Sequence, residues 1–112
     1  MTGQFANITH QGFNGSNNSV GLLIAGTSSI ISFTSLKTLF CGANGIRVDG
    51  SGNTITVSDA TILYYDQSGS GFAAVEVAAN NRVEIGQKPF IVTAAPAVGG
   101  KYAGAGRIAV DD

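Results

Sequence analysis

His10 is the only histidine of the chain and Cys41 its only cysteine, so nucleophilic catalysis would rest on one imidazole, one thiol and hydroxyl groups. Such chemistry needs a nucleophile, a base and a group that orients the base. His10 lies in an irregular N-terminal stretch and reads as a surface or cap histidine. Cys41 follows Leu39-Phe40 at the end of an expected strand, where a small buried apolar residue is the ordinary role. A reactive thiol wants a cation or a helix N-terminus beside it, and the neighbouring sequence offers neither. One cysteine also excludes an intrachain disulfide and a cysteine-based zinc site within one chain. The carboxylates Asp49, Asp59, Asp66, Glu76 and Glu84 could in principle supply the pair that glycoside hydrolysis uses. A polysaccharide cleft also wants aromatic platforms, and Tyr64 and Tyr65 stand nearly alone. Asp49-x-Ser51-x-Asn53 opens like a calcium loop, but Thr54 and Ala60 occupy the places of its glycine and closing glutamate. The glycine-rich segments Ser68–Gly71 and Gly99–Gly106 lack the ending of a phosphate loop and read as turns. No residue is therefore assigned a catalytic, cofactor-binding or metal-binding role, and the expectation is a protein that is not an enzyme and carries no cofactor.

The elements that would position these groups are short strands. At 112 residues the chain has room for one domain with one core. Charged residues make up 12% of it, where about 25% is usual. Hydrophobic residues reach 44%, and Gly, Ser, Thr and Asn supply most of the remainder. A surface so poor in charge does little to discourage association, which points to a homo-oligomer. A formal net charge of −1 and scattered cations give no footprint for nucleic acid. The apolar run 20–25 is far too short to span a membrane. The N-terminus lacks the positive region of a signal peptide, which suggests folding in a cytoplasm. The glycosylation sequons at Asn7, Asn14 and Asn17 then read as chance.

An internal repeat organises the rest. The triplets Leu22-Leu23-Ile24, Ile31-Ser32-Phe33 and the start of Leu39-Phe40-Cys41 return 24 residues later as Ile46-Arg47-Val48, Ile55-Thr56-Val57 and Leu63-Tyr64-Tyr65. They return again at Val75-Glu76-Val77, Val83-Glu84-Ile85 and Ile91-Val92-Thr93, with Ile108-Ala109-Val110 as a last copy of the first triplet. Apolar residues alternate with variable ones, as in a half-buried strand, and β-branched side chains dominate the inward positions. Gly and Asn interrupt every candidate helix.

Two all-β architectures fit this pattern. One is a short right-handed parallel β-helix-like solenoid of about three coils, in which equivalent triplets stack about 4.8 Å apart. The other is an antiparallel sandwich or meander, with Ile46–Val48 and Thr54–Val57 as arms of a hairpin across Asp49–Asn53. Stacking explains the kept repeat length and is favoured. It would place Arg47, Glu76 and Ala109 in one outward column, with Arg47 and Glu76 as an exposed ion pair. Ser32, Thr56 and Glu84 would form another column. The domain spans 1–112, with 1–19 as an N-terminal arm or cap and 94–112 as a C-terminal loop and last strand.

The run Asn44-Gly45-Ile46-Arg47-Val48-Asp49-Gly50, followed by Asn53-Thr54-Ile55-Thr56-Val57, resembles the β-helical modules of bacteriophage virion proteins: tailspikes, tail fibres and head-decoration proteins. The likeness covers roughly residues 20–93 and is one of texture, so no functional residue carries over. It implies a non-enzymatic virion protein, a homotrimeric capsid decoration (cement) protein clamping the major capsid protein. A receptor- or carbohydrate-binding fibre or tailspike module is the alternative.

Overall fold

The computed structural model describes residues 2–11 and 20–110, the side chains of 6–11 excepted. Among these residues the chain is all β, with strands β1 (Thr2–Gln11), β2 (Leu22–Ile24), β3 (Ile30–Leu39), β4 (Ile46–Val48), β5 (Thr54–Val57), β6 (Ala60–Leu63), β7 (Val75–Val77), β8 (Arg82–Ile85), β9 (Phe90–Val92), β10 (Tyr102–Ala103) and β11 (Arg107–Val110). Every ladder is parallel. One sheet runs β10-β7-β4-β2; the other runs β11-β8-β5-β3-β6-β9, with β1 along the free side of β3. The long β3 bends across two faces, so β5 pairs with its first half and β6 with its second. The result is a parallel β-solenoid of about four turns.

This arrangement excludes the hairpin. β4 and β5 lie in different sheets, and each pairs with the equivalent strand of the next coil. Stacking equivalent strands lets the same branched side chain recur in each interior column. Ile31, Ile55, Val83 and Ile108 form one such column, and Phe33, Val57, Ile85 and Val110 another. In the smaller sheet Leu22, Ile46 and Val75 stand in register, as do Ile24, Val48 and Val77. Their middle members are fully enclosed, and each is worth roughly 1.5–3 kcal/mol in burial.

The solenoid has about four turns, the last of them completed by β10 and β11. Two expectations need correction. Ile108-Ala109-Val110 stacks on Val83-Glu84-Ile85, so Ala109 follows Glu84 in its column, and Ala103 takes the place above Glu76. The third triplet is shifted by one residue: Leu36, Thr38, Ala60 and Ile62 are buried while Leu39 and Leu63 are only partly so, and Leu63 pairs with Val92. A slip of one residue exchanges the two faces of a strand, and the apolar type of Leu39 and Leu63 concealed it. Of the N-terminal segment 1–19, expected as an arm or cap, the described part is β1. Thr2–Gln11 lie in register along the whole of β3, and Phe5 stacks on Phe33 with ring centroids 5.2 Å apart. Residues 12–19 fall outside the described residues.

The corner between the two sheets is built by asparagine. Asn53 and Asn81 are buried one above the other. The Asn53 Oδ1 accepts from the Ser29 N–H at 3.0 Å, and the Asn81 Oδ1 accepts from the Asn53 N–H at 3.1 Å and from its Nδ2 at 3.0 Å. Asn53 Nδ2 also donates to the carbonyls of Gly26 (2.8 Å) and Asp49 (3.1 Å). The side chains thus satisfy backbone groups that a bend takes out of the ladder. The residue before each rung carries positive φ: Ser28 at 54°, Gly52 at 73° and Asn80 at 66°. Left-handed backbone turns the chain so that the next side chain points inward.

Candidate functional site

The carboxylates named from sequence are distributed over separate parts of the solenoid. Glu76 is on β7 in the smaller sheet, Glu84 on β8 in the larger, and Asp59 lies exposed between β5 and β6. Arg47 and Glu76 do stand in register on neighbouring strands, yet Arg47 Nε donates to its own-coil neighbour Asp49, 3.1 Å from both oxygens. That replaces the expected Arg47–Glu76 pair; Asp49, just past the end of β4 and two residues from Arg47, presents its carboxylate on the same side. Arg82 pairs with Glu84 at 2.6 Å in the same way. Both pairs are more than a third exposed and contribute little to stability. Among the described residues no group of three or more His, Cys, Asp or Glu side chains gathers. The backbone of His10 lies opposite Thr38 in the ladder, and its side chain is outside the description.

Cys41 is 1% exposed, just past the end of β3, and burial pushes its thiol above the usual range. The inert packing role read from sequence matches this environment. Tyr65 cannot serve as a glycan platform: it is buried, and its hydroxyl donates to the Gly99 carbonyl at 2.8 Å. Tyr64, beside it, is only partly buried, has φ of 63° and meets Phe40 one coil away in a tilted ring contact with centroids 5.0 Å apart. Phe40 has φ of 56°, so the two rings form an outer aromatic step at the corner after β3 and β6.

The most developed polar site belongs to Asp66, which sequence reasoning grouped with the other carboxylates. Its coil carries five residues more than the preceding one between the strand ending at Leu63 and the strand starting at Val75. Those residues wrap the fully buried Asp66 carboxylate. Oδ1 accepts from the N–H groups of Ser70 and Gly71, each at 3.1 Å; Oδ2 accepts from Val98 at 2.8 Å, Gly99 at 3.0 Å and Gly71 at 3.2 Å. Burial alone would raise this carboxyl, but the N–H groups of Val98, Phe72, Gly99 and Gly71 outweigh it and hold the group below its ordinary value. The Ser68–Gly71 loop is thus an anion nest whose anion is supplied by the chain itself. The available signal was an aspartate one residue ahead of a Ser-Gly-Ser-Gly run, with Gln67 between them.

Two shallow grooves mark the outer surface of the larger sheet. One, of about 490 Å³, is lined by Thr56, Arg82, Glu84, Gly86 and Ala109. The other, of about 390 Å³, is lined by Gln4, Phe5, Ser32, Thr34 and Ser58. Their walls mix hydroxyls, one amide and one ion pair with apolar side chains, Ile85 and Val110 in the first and Phe5 and Phe33 in the second. Large apolar side chains stand exposed elsewhere: Leu23, Ile30, Phe90 and Val98, each more than half exposed. Comparison with protein-family models, curated proteins and solved structures finds no match to the chain.

Proposed function

We propose that this chain is a non-enzymatic structural protein of a bacteriophage virion, a homotrimeric decoration (cement) protein that binds the major capsid protein and stabilises the head. The observation that carries the reading is the parallel solenoid combined with a charge-poor outer surface. Leu23, Ile30, Phe90 and Val98 are placed where water would not be their preferred neighbour. Open strand edges at β1 and β2 on one end and at β9, β10 and β11 on the other add unpaired backbone groups that favour contact with other chains. The resemblance of residues 20–93 to virion β-helical modules supplies the assembly. A receptor- or carbohydrate-binding tail module is the second reading, supported by the outer Phe40–Tyr64 step.

The first test is the mass in solution by light scattering coupled to size exclusion over a wide concentration range. A mass three times that of the chain, independent of dilution, is expected; a monomer at every concentration would reject the trimeric form. Co-sedimentation with undecorated phage heads then tests attachment. Binding to a glycan array, lost on Tyr64→Ala, would favour the second reading.

A further inference from the structure

We infer that residues 94–110 form a strap that opens as a unit, and that Asp66 is its fastener. No residue of 94–110 is buried, whereas the strands beneath it hold Val75, Val77, Val83 and Ile85 in the core. Segments with little buried apolar surface open at lower free energy than the core they cover. Three consecutive side chains of the preceding coil hold the strap. The Tyr65 hydroxyl donates to Gly99, the Asp66 carboxylate accepts from Val98 and Gly99, and Gln67 Nε2 donates to the Ala94 carbonyl at 3.3 Å. Beyond them the strap joins the solenoid through the β10–β7 and β11–β8 ladders.

Of these holds, Asp66 makes the only charge-assisted one, and charge-assisted hydrogen bonds are roughly twice as strong as neutral ones. It also links both sides: the same carboxylate grips Ser70 and Gly71 in its own loop and Val98 and Gly99 in the strap. Losing it frees the entry to the strap, whose remaining holds are the short β10 and β11 ladders and the partly buried Ile108 against the core. Opening uncovers the backbone edges of β7 and β8, a site for parallel strand addition.

Native-state hydrogen exchange on the full chain at pH 7, with urea raised below the unfolding transition, tests this. The Gly106 and Arg107 amides, bonded to the Val77 and Asn81 carbonyls, report on the strap; the Gly86 and Arg82 amides, bonded to the Val57 and Asn53 carbonyls, report on the core. The strap amides are expected to be at least tenfold less protected, with a weak urea dependence. Asp66→Asn is expected to speed their exchange by a further tenfold or so and to leave Gly86 and Arg82 unchanged. Equal protection and urea dependence of the two sets in the unaltered protein would overturn the inference, even if the variant fails to fold. A variant that folds but speeds exchange equally at all four sites would overturn the role given to Asp66.

Discussion

Replacing Asn53 by alanine removes the central rung of the corner ladder, and the structure sets the size of the effect. The change deletes the acceptor of the Ser29 N–H, the donor to the Gly26 and Asp49 carbonyls, and the Nδ2 contact with Asn81. A neutral hydrogen bond contributes about 1 kcal/mol net, and stranding a buried partner costs about 1–3 kcal/mol. Four contacts, some with partners near the surface, then give a loss of about 3–5 kcal/mol. Domains of this size are stable by about 5–15 kcal/mol, so the variant keeps its fold with a much reduced margin. Urea denaturation read by circular dichroism is the direct assay, with a lower midpoint and an unchanged slope expected. The melting temperature falls by about 10–20 °C. Because the Asn81 Oδ1 accepts twice from Asn53, the double variant Asn53→Ala/Asn81→Ala is expected to lose less than the sum of the singles. A loss below about 1 kcal/mol, or strict additivity, would refute the view that the side chains hold this corner.

The Cys41 thiol, buried and pushed up in pKa, is expected to resist a thiol-specific reagent at pH 8 until urea unfolds the chain; rapid labelling of the native protein would contradict its placement. Asp66 titrates lower in the folded chain than in the unfolded one, so its contribution is complete above the ordinary aspartate value of about 3.9 and is lost as pH falls through the lower folded value. Urea midpoints measured from pH 7 downward are therefore expected to fall more steeply on acidification for the unaltered protein than for Asp66→Asn, and parallel profiles would count against the nest. Gly45→Ala places a Cβ 2.6 Å from Ile62 Cγ2 and 2.9 Å from Thr38 Oγ1, whereas at Gly100 a Cβ meets nothing within 4 Å. Chemical denaturation is expected to show a cost of about 1–3 kcal/mol for the first and a change within about 0.5 kcal/mol for the second. Equal effects would mean the coil interior is looser than described.

Much of the fold was legible because stacking repeats a physical demand at a fixed interval. Ile31, Ile55 and Val83 occupy one interior column, so each had to be branched and apolar, and spacing alone located them. The third face was read one residue out of step, since Leu39 and Leu63 are as apolar as the true interior residues Leu36 and Ile62, while Thr38 conceals an inward position behind a polar type. In the sequence Asn53 stands only as the end of the Asp49–Asn53 turn, and Asn81 carries no separate signal. Their neighbours Gly52 and Asn80 take the positive φ, and the asparagines themselves bond inward, which depends on pairings 28 residues apart. The role of Asp66 among the carboxylates was hidden for the same reason: its partners Val98 and Gly99 lie more than 30 residues away.

The parallel stacking of equivalent strands also governs how the chain reaches its fold. No two neighbouring strands are joined by a tight turn; partners such as Ile31 and Ile55, or Ile55 and Val83, come together only after a whole coil is closed. Closing a loop of that length costs entropy before the first ladder bond or buried side chain compensates, and no local hairpin is available as a cheaper nucleus. Folding of such a chain falls at the slow end for its size, in the millisecond-to-second range typical of non-local β topologies. The decisive event is the registration of one coil upon another. Once two coils are aligned, each further coil docks onto a finished template, and growth propagates from coil to neighbouring coil.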